Sequence, residues 1–426
     1  MDTGQWDTIY AVHLNQVNAA LAKSTGKMPQ TFSLSGVDFV PYTVQGQFSR
    51  WSVIPGGSGQ LIWLQLDIGS GSFMLGTGHQ AQSASLAGVS LQVEVSLQLI
   101  PAQAGASTLQ FDFKAVGQPG QALPGLVTPL KLLDPNKALN PAMTDALPGL
   151  IANFLVNNAT AVTYVFASIN PANAATVKWL EPVKSDYVYL QSNAGDGYLA
   201  ILSATSDRDV SSYLRQVDPS LIAPGVQGFF VISTNLFMQF VVLPLLPGAW
   251  GNGATAASFS FSPANHTITN TATLGANGVQ EGAITYYPDI TSFAMAVSGG
   301  NLTTAVSGNC DLKMGMSMDF SVSTACPAGY SATTKTLAFR ADPNPGEHHD
   351  THIPWYDYLM GAIPDIIVAA VVPAIANGIA SGLTSQLQNI TVLDNPPQAV
   401  QWSQLGNMQV ASAGLAGALY LMLAFN

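Results

Sequence analysis

Val89 to Leu99 reads VSLQVEVSLQL. Val89, Leu91, Val93, Val95, Leu97 and Leu99 fall on one side of an extended chain, and Ser90, Gln92, Glu94, Ser96 and Gln98 on the other. A period of two, kept without a break, marks a strand with one apolar face. TLQFDFKAV, Thr108 to Val116, repeats it with Leu109, Phe111, Phe113 and Ala115. LIWLQLDI, Leu61 to Ile68, is denser and suits a strand covered on both faces. The Gly- and Pro-rich runs IPGGSG (Ile54 to Gly59), IGSGSF (Ile68 to Phe73) and GQPGQALPG (Gly117 to Gly125) read as turns between strands.

Composition agrees with sheet. Hydrophobic residues make up 48% of the 426, and charged residues 9%, against roughly 25% in an average soluble domain. Ser, Thr, Asn, Gln and Gly must therefore cover most of the surface. Such a chain also suits a protein that lines an apolar groove as well as a core. Lys and Arg number 13 against 24 Asp and Glu, a net charge of −11, and none lies beyond Arg340. An acidic chain with scattered cations repels phosphate backbones, which excludes nucleic acid as a partner.

Along the chain, DTIYAVHLNQVNAALAKSTG (Asp7 to Gly26) predicts an opening helix. Asp7 would be its N-cap, Ile9, Val12, Val17, Ala20 and Leu21 its stripe, and His13 a residue at the stripe edge. PAMTDALPGLIANFLVNNA (Pro141 to Ala159) predicts a second helix, broken at Pro148 and Gly149. VTYVFASI, SDYVYLQS and GYLAILSAT read as strands. GFFVISTNLFMQFVVLPLLPGAW (Gly228 to Trp250) starts as strand and continues as helix to Pro244. In DLKMGMSMDFSV (Asp311 to Val322), Leu312, Met314, Met316, Met318, Phe320 and Val322 share one face. Methionine's flexible, polarisable side chain makes that face a candidate lining for an acyl chain. Cys310 and Cys326 flank this run at a separation that a hairpin disulfide could span. Ile366 to Leu383 carries no charge, but Pro373, Asn377, Gly378, Ser381 and Gly382 interrupt it. It reads as a buried helix kinked at Pro373 rather than a membrane span. NMQVAS and LAGALYLMLAF close the chain as strands. No linker or repeat divides residues 1–426, so one elongated unit is expected, with a subdivision near 180–200.

Chemistry is sparse. GGSGQ (Gly56 to Gln60) lacks the last glycine of a nucleophile elbow. IGSGSF has no phosphate-binding lysine. Asp207 and Asp209 flank Arg208 in a solvated arrangement. In GEHHDTHIP, His348, His349 and His352 cluster between Glu347 and Asp350, but three prolines and a glycine across DPNPGEHHDTHIP oppose the helix that would align them on a metal. The stretch reads as a solvent-facing loop that feeds the next helix through Trp355 and Tyr358. No enzyme, metal or cofactor is expected. The N-terminus MDTGQWDTIY lacks a secretory leader, leaving localisation open and a non-classical export route compatible.

Several segments together, GQWDTIYAVHLNQVN, WLEPVKSDYVYL, GYLAILSAT, FFVISTNLFMQFVVLPLLPGAW, DPNPGEHHDTHIPWYDYLMGAI and VQWSQLGNMQVASAGLAGALY, occur in the order found in the clostridial P-forty-seven protein family. The chain resembles that family over nearly its whole length. Its members are known from botulinum neurotoxin gene clusters and insecticidal toxin loci. The resemblance implies an α+β fold of the tubular lipid-binding (TULIP) superfamily: an elongated, mainly antiparallel, strongly curved sheet wrapped around a long helix. It further implies a non-enzymatic protein holding acyl chains, a phospholipid or a phosphoinositide. Lipid or a membrane surface, and proteins of the same gene cluster, are then the expected partners. The alternative is an interaction component of a toxin or secreted complex that carries no lipid. Met314, Met316, Met318, Phe320, Val371 and Ile375 are the candidate groove residues, chosen from the apolar alternation and the uncharged run.

Overall fold

The computed structural model describes residues 3–37, 40–174, 177–217, 225–250, 253–281, 283–313, 315–352, 373–374, 376–378, 381, 399–406 and 408–425. Two compact units emerge. The first comprises residues 4–230, 397–409 and 423–426, the second residues 1–3, 231–396 and 410–422. The longest stretch of the first unit ends at Phe230, and that of the second begins at Val231.

In the first unit the chain opens with β1 (Thr8–His13) followed by α1 (Leu14–Lys23). The expected helix from Asp7 is therefore half strand. Four of the five residues from Thr8 to Val12 are β-branched or aromatic, and β12 (Gly197–Ala204) offers them an antiparallel partner, Thr8 opposite Ser203 through His13 opposite Tyr198. Next come β2 (Thr31–Val37), β3 (Pro41–Ser58), β4 (Leu61–Leu75), β5 (Gln82–Ser85), β6 (Ser90–Pro101), β7 (Ser107–Asp112), β8 (Ala115–Val116) and β9 (Leu126–Leu133). The deciding stretch is strand β6, and Val89, Leu91, Val93, Val95 and Leu97 are buried as the alternation requires. IGSGSF is not a turn but part of β4, and of IPGGSG only Gly59 enters the turn, with Gln60, while Ile54 to Ser58 belong to β3. Register shifts on β3 at Gln47, Phe48 and Ile54 to Ser58 absorb the glycines as bulges within the ladder.

Helix α2 (Pro141–Asn157) runs through Pro148 without a break. Asn140 caps it, accepting from Met143 N–H at 2.9 Å. Its Phe154 packs on Phe32 and Phe48 at 6.2 and 6.1 Å between ring centres. Tertiary packing of this apolar face outweighs the one hydrogen bond lost to proline. β10 (Val165–Ile169), β11 (Lys184–Gln191), β12 (Gly197–Ala204) and β13 (Gly228–Ile232) follow. β2, β3, β4, β6, β7 and β10 pair in that order within a ten-stranded sheet, while β11, β12, β1 and β13 are neighbours in a second.

After β13 the backbone becomes helical, as expected, and continues beyond Pro244. α3 (Thr234–Leu236) passes into a π-helical stretch, Phe237–Val242, and a 3-10 stretch, Leu243–Ala249. The second unit then adds β14 (Phe259–Ser262), β15 (Thr267–Asn270), β16 (Leu274–Gly275), β17 (Val279–Glu281), β18 (Ile284–Tyr286), β19 (Asp289–Ser298), β20 (Asn301–Lys313), β21 (Met316–Ser331), β22 (Thr336–Phe339) and β23 (Gly346–His352). β14, β15, β19, β20, β21 and β22 lie in that order, with β23 also on β21. β24 (Val400–Trp402), β25 (Met408–Leu415) and β26 (Leu419–Phe425) complete the chain.

Three expectations are corrected here. DLKMGMSMDFSV is not one strand: the chain reverses between Lys313 and Met316, which pair, and Gly315 holds φ at 86°. Leu312 therefore belongs to β20 and Met316 to β21. Cys310 lies opposite Met318 and Cys326 opposite Leu302. That offset, on the order of 25 Å along the ladder at ~3.3 Å per residue, far exceeds disulfide reach, and both thiols are free and buried. GEHHDTH is strand β23, not a loop, because its prolines, Pro343, Pro345 and Pro354, all fall outside the paired residues Gly346 to His352. Of the expected long helix, residues 366–383, only 373–374, 376–378 and 381 are described. The architecture described is mainly antiparallel sheet with few helices, β8 and β9 forming a parallel pair.

Candidate functional site

The sheet β15–β19–β20–β21 presents two different faces. Inward, Phe293, Met295, Leu302, Val306, Cys310, Met316, Met318, Phe320 and Val322 are buried. Trp250 and Phe259 stack edge-on against Phe293, with ring centres 5.5 and 5.6 Å away. Candidates Met316, Met318 and Phe320 thus lie together on β21, on the apolar side, and Met318 is 0% exposed. Met314, Val371 and Ile375 fall outside the described residues.

Outward, the alternate residues are small. Register sets Ala294 beside Ala305 and Ala305 beside Ser323, and sets Thr267, Ala296, Thr303 and Ala325 in the next row of that face. With no large side chain to fill it, this face holds an open concavity of about 590 Å³, which also reaches Asp342, Asn344 and Gly346. Asp342 fixes its rim. On β21, the pairing to β23 runs from Ser317 to Ser323 and that to β22 begins at Ala328. In the interval, Asp342 Oδ2 accepts from Ala325 N–H at 2.8 Å, and its Oδ1 accepts from Asn344 N–H at 2.9 Å. A carboxylate stands where a neighbouring strand's carbonyl would be. Composition points away from this trough, because Ala, Ser and Thr carry no chemical signature; only the strictly small outward set of AMAVS, TTAVS and SVSTA marks it.

Titratable groups with shifted behaviour are structural. Burial pushes the phenols of Tyr10, Tyr164 and Tyr187 well above their usual range, and that of Tyr198 to about 12. Tyr187 closes a gap in the first unit: its hydroxyl accepts from Leu97 N–H at 2.7 Å and lies 2.7 Å from Gln60 O, just before β4 begins. Burial also raises the Cys326 thiol. The Asp209 carboxyl is lowered by hydrogen bonds from Ser211. Asp207 and Arg208 are tied into ion pairs, Asp207 with Lys184 at 2.9 Å and Arg208 with Asp7 at 2.8 Å. Of the histidine cluster, His352 Nε2 lies 3.0 Å from Asp319 Oδ2. Among the described residues, no three His, Cys, Asp or Glu gather closely enough to hold a metal, and no helix is long and apolar enough to cross a membrane.

Residues 3–395 match the sequence model of the family described as OrfX-like: Protein OrfX2/OrfX3/P47. Protein P47 of Clostridium botulinum (strain Kyoto / Type A2) is 25% identical over 360 residues, covering 83% of this chain and 84% of the relative. Protein OrfX3 of the same strain is 26% identical over 275 residues, and the match spans about half of each chain: 58% of this one and 54% of the relative. Two solved structures share the fold. P47 from C. botulinum A2 superposes with a TM-score of 0.77 at 23% identity, covering 99% of this chain and 98% of the other. P47 of C. botulinum E1 gives 0.72 at 23% identity, with 99% of each chain covered.

Proposed function

This chain belongs to the OrfX-like family of OrfX2, OrfX3 and P47 proteins, and from that premise we propose that it is a toxin-locus protein that acts by binding an apolar ligand, without catalysis. The supporting observation is the inward face of β19 and β21, where Met295, Met316 and Met318 sit with Phe293 and Phe320. Thioethers adapt their shape to an irregular partner, and each acyl methylene buried against them contributes roughly 0.8 kcal/mol. On this reading the sheet holds a tail as tubular lipid-binding proteins do, and polar residues at the opening select a phospholipid or phosphoinositide headgroup. Organic extraction of the purified full chain, followed by mass spectrometry, is expected to yield a stoichiometric lipid. Independent preparations that carry none, together with no flotation on phosphoinositide vesicles, would overturn the reading.

A second reading, an interaction component of a toxin-associated complex, is favoured by the outward trough. Its small, mostly uncharged lining suits a polypeptide better than an acyl tail. Co-purification with the product of an adjacent gene, abolished by Ala305→Arg with the lipid content unchanged, is the outcome that selects this reading over the first.

A further inference from the structure

In the first unit, the outward side of β3, β4 and β6 is polar and carries one large ring. On β4, Ile62, Leu64, Leu66 and Ile68 are buried, which turns Trp63, Gln65 and Asp67 to the other side. Trp63 is half-buried there. The ladder shows how its indole is held. β3 pairs Ile54 with Trp63 and next Ser58 with Leu61, so three residues of β3 stand opposite Ile62 alone. In this bulge Gly56 holds φ at 128°, and a Cβ on it would run into the six-membered ring of Trp63. That end of the indole rests on bare glycine backbone. At the other end, Trp63 Nε1 donates to Glu94 Oε2 on β6 at 3.1 Å. Held from β3 on one side and β6 on the other, the indole lies across its own strand and turns a flat apolar face outward.

Beside the ring, polar side chains form a chain of hydrogen bonds. Gln92 Nε2 donates to Gln65 Oε1 at 3.0 Å, and Gln65 Nε2 to Asp67 Oδ1 at 2.8 Å. Ser90 Oγ donates to the same oxygen at 2.8 Å, and Arg50 Nε to Asp67 Oδ2 at 2.8 Å. These bonds fix the amides before any ligand arrives, which lowers the ordering cost of binding. Gln92 Oε1, its second amide proton and Glu94 Oε1 have no partner among the described residues. The charges cancel: Arg50 pairs with Asp67, and Lys131, in register with Gln92, offsets Glu94. Ser52, Gln65, Gln92 and Lys131 form one row across β3, β4, β6 and β9. Three inter-strand spacings make that row about 14 Å long.

We propose that this face binds a neutral carbohydrate chain, with a sugar ring stacked on Trp63 and neighbouring hydroxyls bonded to Gln65, Gln92 and Glu94. A sugar ring has a C–H face that is flat and apolar, and a rim of hydroxyls that both donate and accept. The indole matches the first. The glutamine amides, which also donate and accept, match the second. Balanced charge selects among polar ligands: a phosphate or sulfated glycan is recognised by cations free to pair with it, whereas here each cation is offset. A protein partner calls for an interface core of several aromatic and apolar residues, and this face offers one ring. The length of the row suits a short oligosaccharide. The inference does not rest on the apolar ligand proposed above, whose site is in the other unit.

A printed array probed with the full chain tests it, carrying neutral gluco-, manno-, galacto- and N-acetylglucosamine oligosaccharides, with heparin fragments and sialyllactose as anionic members. Retention by neutral members is expected, and calorimetric titration with the best-retained one gives the affinity. Trp63→Ala should lower that affinity about ten-fold or more, the scale of a lost aromatic stack with its buried area. Gln92→Ala should lower it about three- to ten-fold, the scale of one hydrogen bond. Gln92 is a half-buried amide outside the core, so this second variant keeps the test intact if removing the indole unfolds the sheet. Lipid recovered by organic extraction should be the same from the parent and both variants, which separates this site from the apolar one. Retention by no neutral member, retention by anionic members alone, or undiminished affinity in a folded variant overturns the proposal. In the last case the indole serves only to cover Gly56.

Discussion

At the scale of single residues, His13 shows how position assigns a role. Its sequence places it beside an apolar stripe, but the strand-to-helix junction makes it the N-cap of α1. Asn15 N–H donates to His13 Nδ1 at 3.0 Å, and the ring stands edge-on to Tyr198 with centres 5.0 Å apart. The other ring nitrogen, Nε2, lies 3.7 Å from Asp196 Oδ1. Because Nδ1 accepts, a ring proton sits on Nε2, on the side of Asp196. His13→Ala is expected to lower stability by about 1 kcal/mol, the usual loss of a cap, whereas His13→Asn, itself a strong cap, should restore most of it. Urea unfolding of the two variants side by side measures this. Equal losses in both would show that the ring's packing, not the cap, carries the effect.

At the scale of elements, the sheets repeatedly set an aromatic ring over a glycine on the neighbouring strand. Tyr42 lies opposite Gly36, Phe32 opposite Gly46 and Phe320 opposite Gly308. A Cβ at Gly36 would meet the Tyr42 hydroxyl at 2.6 Å, and one at Gly46 the Phe32 ring at 2.6 Å. At Gly308 it would run into the Phe320 ring and the carbonyl oxygen of Asp289 on β19. Rings shield the bare glycine backbone and pin the register that glycine alone leaves loose. Gly308→Ala is therefore expected to cost about 1–3 kcal/mol, because backbone on the adjacent strand must shift. Gly26→Ala, where nothing lies within 4 Å, should stay within about 0.5 kcal/mol of the parent. Thermal unfolding of both variants decides whether the glycines are structural requirements or loose fillers.

At the scale of the whole molecule, few charges leave few acid–base levers, and the buried phenols supply one. Tyr10, Tyr164 and Tyr187 are each raised above the usual value of 10.0 by burial. The native state therefore holds these protons more tightly than the unfolded chain does. Stability from this source is complete below about pH 10 and falls as pH rises above it, since only the unfolded chain can then ionise. Urea midpoints measured from pH 8 to 11.5 should hold steady and then drop, with a rising phenolate absorbance that coincides with unfolding. Phenolate appearing before unfolding would mean these hydroxyls are wetter than their packing indicates.

Much of the secondary structure was legible in the sequence because alternation is a property of near neighbours: β6, β7, β11, β12 and the strand-to-helix run after Gly228 follow from it. The Met316–Met318–Phe320 face was legible for the same reason. What neighbours in sequence cannot encode is which strand stands alongside. That partner made Thr8 to His13 a strand, kept IGSGSF inside β4, reversed the chain between Lys313 and Met316, and drew GEHHDTH into the sheet. It also separated Cys310 from Cys326 and aligned three strands' worth of alanine, serine and threonine into a trough. Alternation told which side chains face inward; only cross-strand register, a sum of hydrogen bonds and packing between distant segments, decided what each outward residue faces.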